Sequence, residues 1–161
     1  MRNEANSLKD QLRNVIEEAR MLLPGLQALF GFQTIAVFNQ RFVELPSIEQ
    51  GSHLVALALV VLSIALLMTP AAYHRIVEPH QVSTHMLKVA SWLICCSLVP
   101  LALALALDMF VVMALATQAR GWSAAAGIVT LCVLALLWFL FPLAQRGRQA
   151  RPGDTQDHSS G

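Results

Sequence analysis

Two stretches of this sequence, 54–72 and 89–107, contain no Asp, Glu, Lys or Arg at all. An ordinary soluble domain cannot leave such blocks uncharged, and with only 13% charged residues against 56% hydrophobic ones the whole chain lies outside that class. Acidic and basic residues nearly cancel, ten against eleven, so the electrostatic footprint of a nucleic-acid binder is missing. Cysteine is also scarce. The three cysteines, Cys95, Cys96 and Cys132, all lie in apolar segments, and an odd count with two adjacent members does not make a disulfide framework; they read as small buried hydrophobes. No phosphate-binding glycine loop, no dinucleotide fingerprint and no nucleophile–base pairing occurs, so nothing indicates an enzyme or a cofactor. The polar, mixed-charge first twenty residues differ from a cleavable secretory signal, and no lipidation motif is expected.

What is present is a membrane pattern. Residues 6–23 place Leu8, Leu12, Val15, Ile16, Ala19, Leu22 and Leu23 at helical spacing with charges elsewhere around the helix, which predicts an amphipathic cytoplasmic or interfacial helix over 1–23. Four apolar segments follow, about 24–42, 53–73, 88–116 and 122–143, each at or near the ~20 residues that cross a ~30 Å hydrocarbon core. The alternating run 101–108 resembles a strand, but a lone strand in lipid leaves its backbone unpaired, so it too is read as helix. The expected fold is an all-α membrane protein, a four-transmembrane-helix bundle over 24–143, followed by a disordered tail, 144–161, rich in polar residues, Gly and Pro.

Nine Lys and Arg fall in the N-terminal segment, the 74–88 region and the tail; only Arg41 and Arg120 fall on the other side. By the positive-inside rule both termini are cytoplasmic.

Polar residues inside the spans are the candidate sites. Gln27, Gly31, Thr34 and Phe38 recur at i, i+4, i+7 and i+11 and share one helix face, while Gln33, Ala36 and Gln40 share a second. Two readings are open: a polar path, or helix contacts in which Gly31 permits close approach and the polar groups bond across the interface. The contact reading is adopted for Gln27, Gly31 and Thr34. Asp108 is the sole acidic residue inside a predicted span, which makes it a candidate ion or proton site. Tyr73, His74 and Arg75 are placed at the lipid-headgroup interface. His74, His80 and His85 with Glu78 match no metal spacing, so no metal is expected. Small residues repeat at seven-residue intervals, Ala56, Ser63 and Pro70 in the second span and Ala90, Ser97 and Ala104 in the third, with Ser123 and Gly127 in the fourth; these are packing signals.

The segments PGLQALFGFQ, NQRFVEL and LLMTPAAYHR, in that order, resemble a bacterial family of short four-span membrane proteins classed as a domain of unknown function. The resemblance covers roughly residues 8–143, its most specific elements being Gln27 with Leu29–Phe30–Gly31–Phe32, then Arg41–Phe42, then Pro70 with His74–Arg75. Some members of that family carry a sodium/proton antiporter label, but this chain lacks the paired acidic centre of familiar antiporters. The resemblance implies topology rather than activity. Together these features predict a non-enzymatic protein of the bacterial inner membrane, surrounded by the lipid bilayer and acting as a homo-oligomer or with another membrane protein. The alternative is a small oligomeric ion or proton channel.

Overall fold

The computed structural model describes residues 2–77 and 84–149, and every regular element among them is helical. The order is α1 (Arg2–Val37), a short α2 (Gln40–Val43), α3 (Ser47–Val77), α4 (Thr84–Thr117) and α5 (Arg120–Ala135). A π-helical turn (Leu136–Leu140) then leads into α6 (Phe141–Gln149). Three helical stretches are long and apolar enough to cross a membrane: Ser47–Ile76, Thr84–Thr117 and Arg120–Gln145, of 30, 34 and 26 residues. Each exceeds the ~20 residues required.

The α3–α4 pair is the centre of the molecule. The sevenfold small-residue stripes face one another in antiparallel register: Ala56 packs with Ala104, and the Ser63 hydroxyl donates to the Ser97 carbonyl at 2.8 Å. Ala56, Ser63, Ser97 and Ala104 are all 0% exposed, and Pro70 and Ala90 continue the buried stripe. Small side chains let the two backbones approach, and the serine bond gains from a setting where no water competes.

Next to this pair lies α5, joined to α4 by a two-residue turn in which Gln118 takes the left-handed conformation, φ 52°, and Ala119 is extended. Ser123 and Gly127 are buried against α4; a Cβ on Gly127 would stand 3.0 Å from the Ala106 carbonyl oxygen and 3.3 Å from Phe110 Cβ. The remaining surface of α5 and the π turn is open, with Trp122, Ile128, Val129, Leu137 and Phe141 all more than half exposed. The π turn has a local cause: Pro142 has no N–H to return to Trp138, and the Phe141 N–H reaches Leu136 O, five residues back.

The segments read as an interfacial helix, 1–23, and a first span, 24–42, form one continuous helix as far as Val37. Proline is costly inside a helix because it removes one bond and crowds the preceding turn, yet α1 runs through Pro24 without a break to Val37, then turns at 38–39. Its inward face packs along the full α3–α4 pair: Val15 and Ile16 against Met86 and Ala90, Ala19 and Leu26 with Leu67, and Leu29 and Phe30 against Ala56, Val60 and Ala104. Asp10, Arg13, Glu17, Glu18 and Arg20 point to the exposed side. The stretch 21–37 beyond the last charge spans only about 25 Å at 1.5 Å per residue, and Gln27, Gln33 and Thr34 dilute it, which is why α1 is not among the three long apolar helices. The predicted tail begins later than expected, because α6 carries helix to Gln149; residues 150–161 lie outside the described part, as do Glu78 and His80 of the histidine-bearing loop.

Gly127→Ala is expected to push α5 off the Ala106 carbonyl and Gly127→Leu to do so further. Overpacking of this kind costs ~1–3 kcal/mol, so thermal melting in detergent should fall in the order wild type, Ala, Leu. A Leu variant melting with wild type would remove the close α4–α5 contact.

Candidate functional site

The link from α1 to α3 is built by amides. Asn39 Oδ1 accepts from the Arg41 backbone N–H at 3.0 Å, capping α2 and ending the turn after α1. At the other end of α2, Gln50 Nε2 lies 3.1, 3.2 and 2.9 Å from the carbonyls of Phe42, Val43 and Leu45, of which the Phe42 oxygen also accepts from the Leu45 N–H at 3.2 Å. This strap holds the first turns of α3 against the end of α1, and with them His53, whose ring meets Phe42 edge-on at 5.5 Å.

Here α1, α3 and α4 converge on three side chains. His53, 6% exposed, places Nε2 2.9 Å from the backbone oxygen of Gln33. Gln33, 4% exposed, donates its side-chain N–H to Asp108 Oδ2. Asp108 Oδ1 lies 3.5 Å from His53 Nδ1, closing a triangle that ties each helix to the other two. Hydrogen-bond logic fixes the imidazole tautomer: a carbonyl only accepts, so Nε2 carries the hydrogen. In the neutral ring Nδ1 is then a second acceptor facing a carboxylate oxygen, an arrangement that one proton, or a donor from elsewhere, makes attractive. Gln33 Oε1 is buried and has no partner.

A cavity of about 390 Å³ lies against the triangle, walled on its other sides mainly by apolar residues including Leu29, Phe32 and Val112, with Asn39 and Arg41 among them. A second cavity of about 590 Å³ shares Arg41, Leu45 and Leu115 with the first and holds Glu44, Glu49 and Arg120. Glu49 is buried in the first turn of α3, where a carboxylate is favoured by the helix dipole; one oxygen stands 3.9 Å from Arg120 Nε and the other has no partner.

The structure therefore joins Gln33 to Asp108 and leaves the other expected contact unmade within the chain. Gln27 is exposed, a Cβ added at Gly31 would meet no atom within 4 Å, and the Thr34 hydroxyl donates to Phe30 O of its own helix at 2.8 Å. The physical reason is rotational: Leu26, Phe30 and Gln33 occupy the inward stripe of α1, and Gln27 and Gly31 fall to its side. Tyr73 and Arg75 are exposed near the end of α3 and His74 is half-buried, with a buried and unpartnered Nδ1. Among the described residues no three His, Cys, Asp or Glu side chains could hold a metal, and the three cysteines are free, with Cys95 and Cys132 exposed rather than buried.

His53, Glu49 and Gln50 are additions to the sequence reading. Their signal was present: counting one heptad back along the stripe Pro70, Ser63, Ala56 reaches Glu49, and His53 follows four residues later on the same side.

Gln33→Leu strands an acceptor of Asp108 in a half-buried site. Losing a hydrogen bond to a charged group costs ~1.5–3 kcal/mol, so this variant should melt well below Gln27→Leu, whose side chain is exposed. Equal melting of the two would overturn the assignment of the inward face.

Among known proteins, the family described as "Family of unknown function (DUF6328)" matches residues 2–142, and the chain belongs to that family. No curated protein and no solved structure matches it.

Proposed function

We propose that this member of a family of unknown function is a non-enzymatic protein of the bacterial inner membrane that crosses four times, keeps both termini in the cytoplasm and acts by self-association. Support for the fourth crossing comes from α1, whose packing from Val15 beside Met86 to Gln33 beside Asp108 follows the depth of α3 and α4. The nine-to-two distribution of Lys and Arg supports the orientation. Under this orientation Tyr73, His74 and Arg75 lie at the inner headgroup level.

The observation that carries the association reading is the outward side of α1. In a bilayer, an exposed amide at Gln27 one turn from the open notch at Gly31 is costly alone and favourable against another helix. A second copy is the partner this face suits best. An amide both donates and accepts, so Gln27 can pair with Gln27 of a copy related by a twofold axis, and glycine on both sides lets the backbones close.

The test is the mass of the complex in lipid nanodiscs or mild detergent. Gly31→Leu should lower the dimer fraction strongly and Gln27→Leu more weakly, since polar interhelical contacts average only ~0.6 kcal/mol, while melting of the single chain stays near wild type. Unchanged oligomeric mass in Gly31→Leu would sink this reading.

Asp108 within the triangle favours a second reading, a small oligomeric proton or cation channel. Against it stands the core below the triangle, where Ala56, Val60 and Ala104 are 0% exposed and leave no path through one chain. Proteoliposomes of the wild type are expected to show no flux above empty liposomes. Robust flux abolished by Asp108→Asn would replace association with conduction.

A further inference from the structure

The cavity beside the triangle has mainly apolar walls, with Asn39 and Arg41 at its polar edge, and a floor of Gln33, His53 and Asp108 that is rich in acceptors. Gln33 gives one of its two amide N–H groups to Asp108, and its Oε1 is buried without a partner. His53 donates from Nε2 to the Gln33 carbonyl, which leaves Nδ1 an acceptor in the neutral ring. Asp108 Oδ1 faces that Nδ1 and is incompletely covered, its side chain being 18% exposed. Gln33, His53 and Asp108 all line the same cavity. A ligand that satisfied them would have to bring N–H groups, and one that balanced the carboxylate would have to be cationic.

We propose that this cavity binds an amphiphile carrying a primary ammonium on an apolar body. A primary ammonium supplies three N–H donors from one atom, matching a floor whose free groups accept, and its charge makes the bond to Asp108 the strong, charge-assisted kind. The walls argue for the body: Leu29, Phe32, Val111, Val112 and Leu115 offer an apolar chain what they cannot offer a hydrated inorganic cation. Depth agrees. Asp108 lies about 11 Å along α4 from its middle, near the edge of a ~30 Å hydrocarbon core, where an amphiphile's head meets water. Arg41, exposed at the same cavity, is placed to meet an anionic group on a zwitterionic ligand. The ammonium could come from an ethanolamine lipid headgroup or from a free lipophilic amine. This site is on the inward side of α1 and does not depend on the association face.

The test uses the full chain in phosphatidylcholine nanodiscs, whose quaternary headgroups carry charge but no N–H. Titration with 4-phenylbutylammonium, followed calorimetrically, should show saturable binding. 4-Phenylbutyltrimethylammonium and 4-phenylbutanol should each bind at least tenfold more weakly, because one lacks the donors and the other the charge. Asp108→Asn should weaken the ammonium at least tenfold with its helical circular dichroism unchanged. If that variant does not fold, the three-ligand series on the wild type decides the matter. Repeating the titration in phosphatidylethanolamine nanodiscs separates the sources: a raised apparent Kd identifies the lipid headgroup as the competing occupant, and an unchanged one identifies the free amine, both in support. The proposal is overturned by absence of saturable binding, by equal affinity for the three ligands, by preference for 4-phenylbutyrate, or by undiminished binding to folded Asp108→Asn. Titrations of Gly31→Leu should match wild type, so failure here and failure of the dimer are read separately.

Discussion

Two hydrogen bonds at Gln33, one given by its side chain to Asp108 of α4 and one received by its backbone oxygen from His53 of α3, fix how α1 sits on the α3–α4 pair. Apolar packing positions a helix only loosely about its own axis, because leucines and alanines of similar size can exchange places with little loss. Polar groups removed from water do not have that freedom, since an unmade bond costs the full desolvation of the group. The triangle thus sets both the rotation of α1 and its height. A one-residue slip would carry Gln33 about 100° around the helix and separate it from Asp108. The strap at residues 38–50 is consistent with this role: Asn39 ends one helix and Gln50 gathers the open carbonyls of the next, so the chain returns into α3 at the level the triangle requires.

Much of this arrangement can be read from residues alone. The charge-free blocks identify two of the three long apolar helices, and the sevenfold repeats of Ala, Ser and Pro identify which faces of α3 and α4 meet, because only small side chains at that period let two helices close along their length. Rotation was harder. Gln27 and Gln33 are both amides at helical spacing from small residues, and nothing in α1 alone distinguishes the face that meets its own chain from the one beside it. The difference lies in partners: Gln33 has Asp108 on α4, a relation across 75 positions that local periodicity does not contain. His53 was missed because it stands just before the apolar block and resembles the ordinary flank of a span. That α1 runs on through Pro24 has a physical basis of its own, since an interior proline can be tolerated when tertiary packing on both sides, Ala19 below and Leu26 above, holds the helix together.

Among the described residues, the polar triangle buried between helices lies at one end of the helix pair. Beyond the triangle the core narrows to Ala56, Val60 and Ala104, then to the Ser63–Ser97 bond, whose groups satisfy one another. At the far end a third cavity of about 390 Å³ is lined mainly by apolar groups such as Leu23 and Leu67, with Arg20 and Arg75 among them. Two cavities separated by a packed core suit two separate contacts with the surroundings better than passage between them. Glu49 and Arg120, loosely paired at 3.9 Å, join the start of α3 to the start of α5.

One helix carries both faces for which a role has been argued. The inward stripe of α1 ends in Gln33, and the side face holds Gly31 about half a turn away and Gln27 less than about two turns away. A helix is stiff over that distance, so any movement of the α1 backbone at Gln33 would carry the notch at Gly31 with it. If occupancy of the cavity changes the dimerisation constant by some factor, dimerisation must change the affinity of the cavity by the same factor, because the two equilibria share one thermodynamic cycle. The size of that factor is set by how far α1 can move before the His53–Gln33 bond breaks. This bond is made to the backbone of Gln33 rather than its side chain, so it leaves the amide free to reorient while the helix stays in place. The geometry therefore favours weak coupling: the side chain can respond to the cavity while the backbone, pinned by His53, continues to present the outward face.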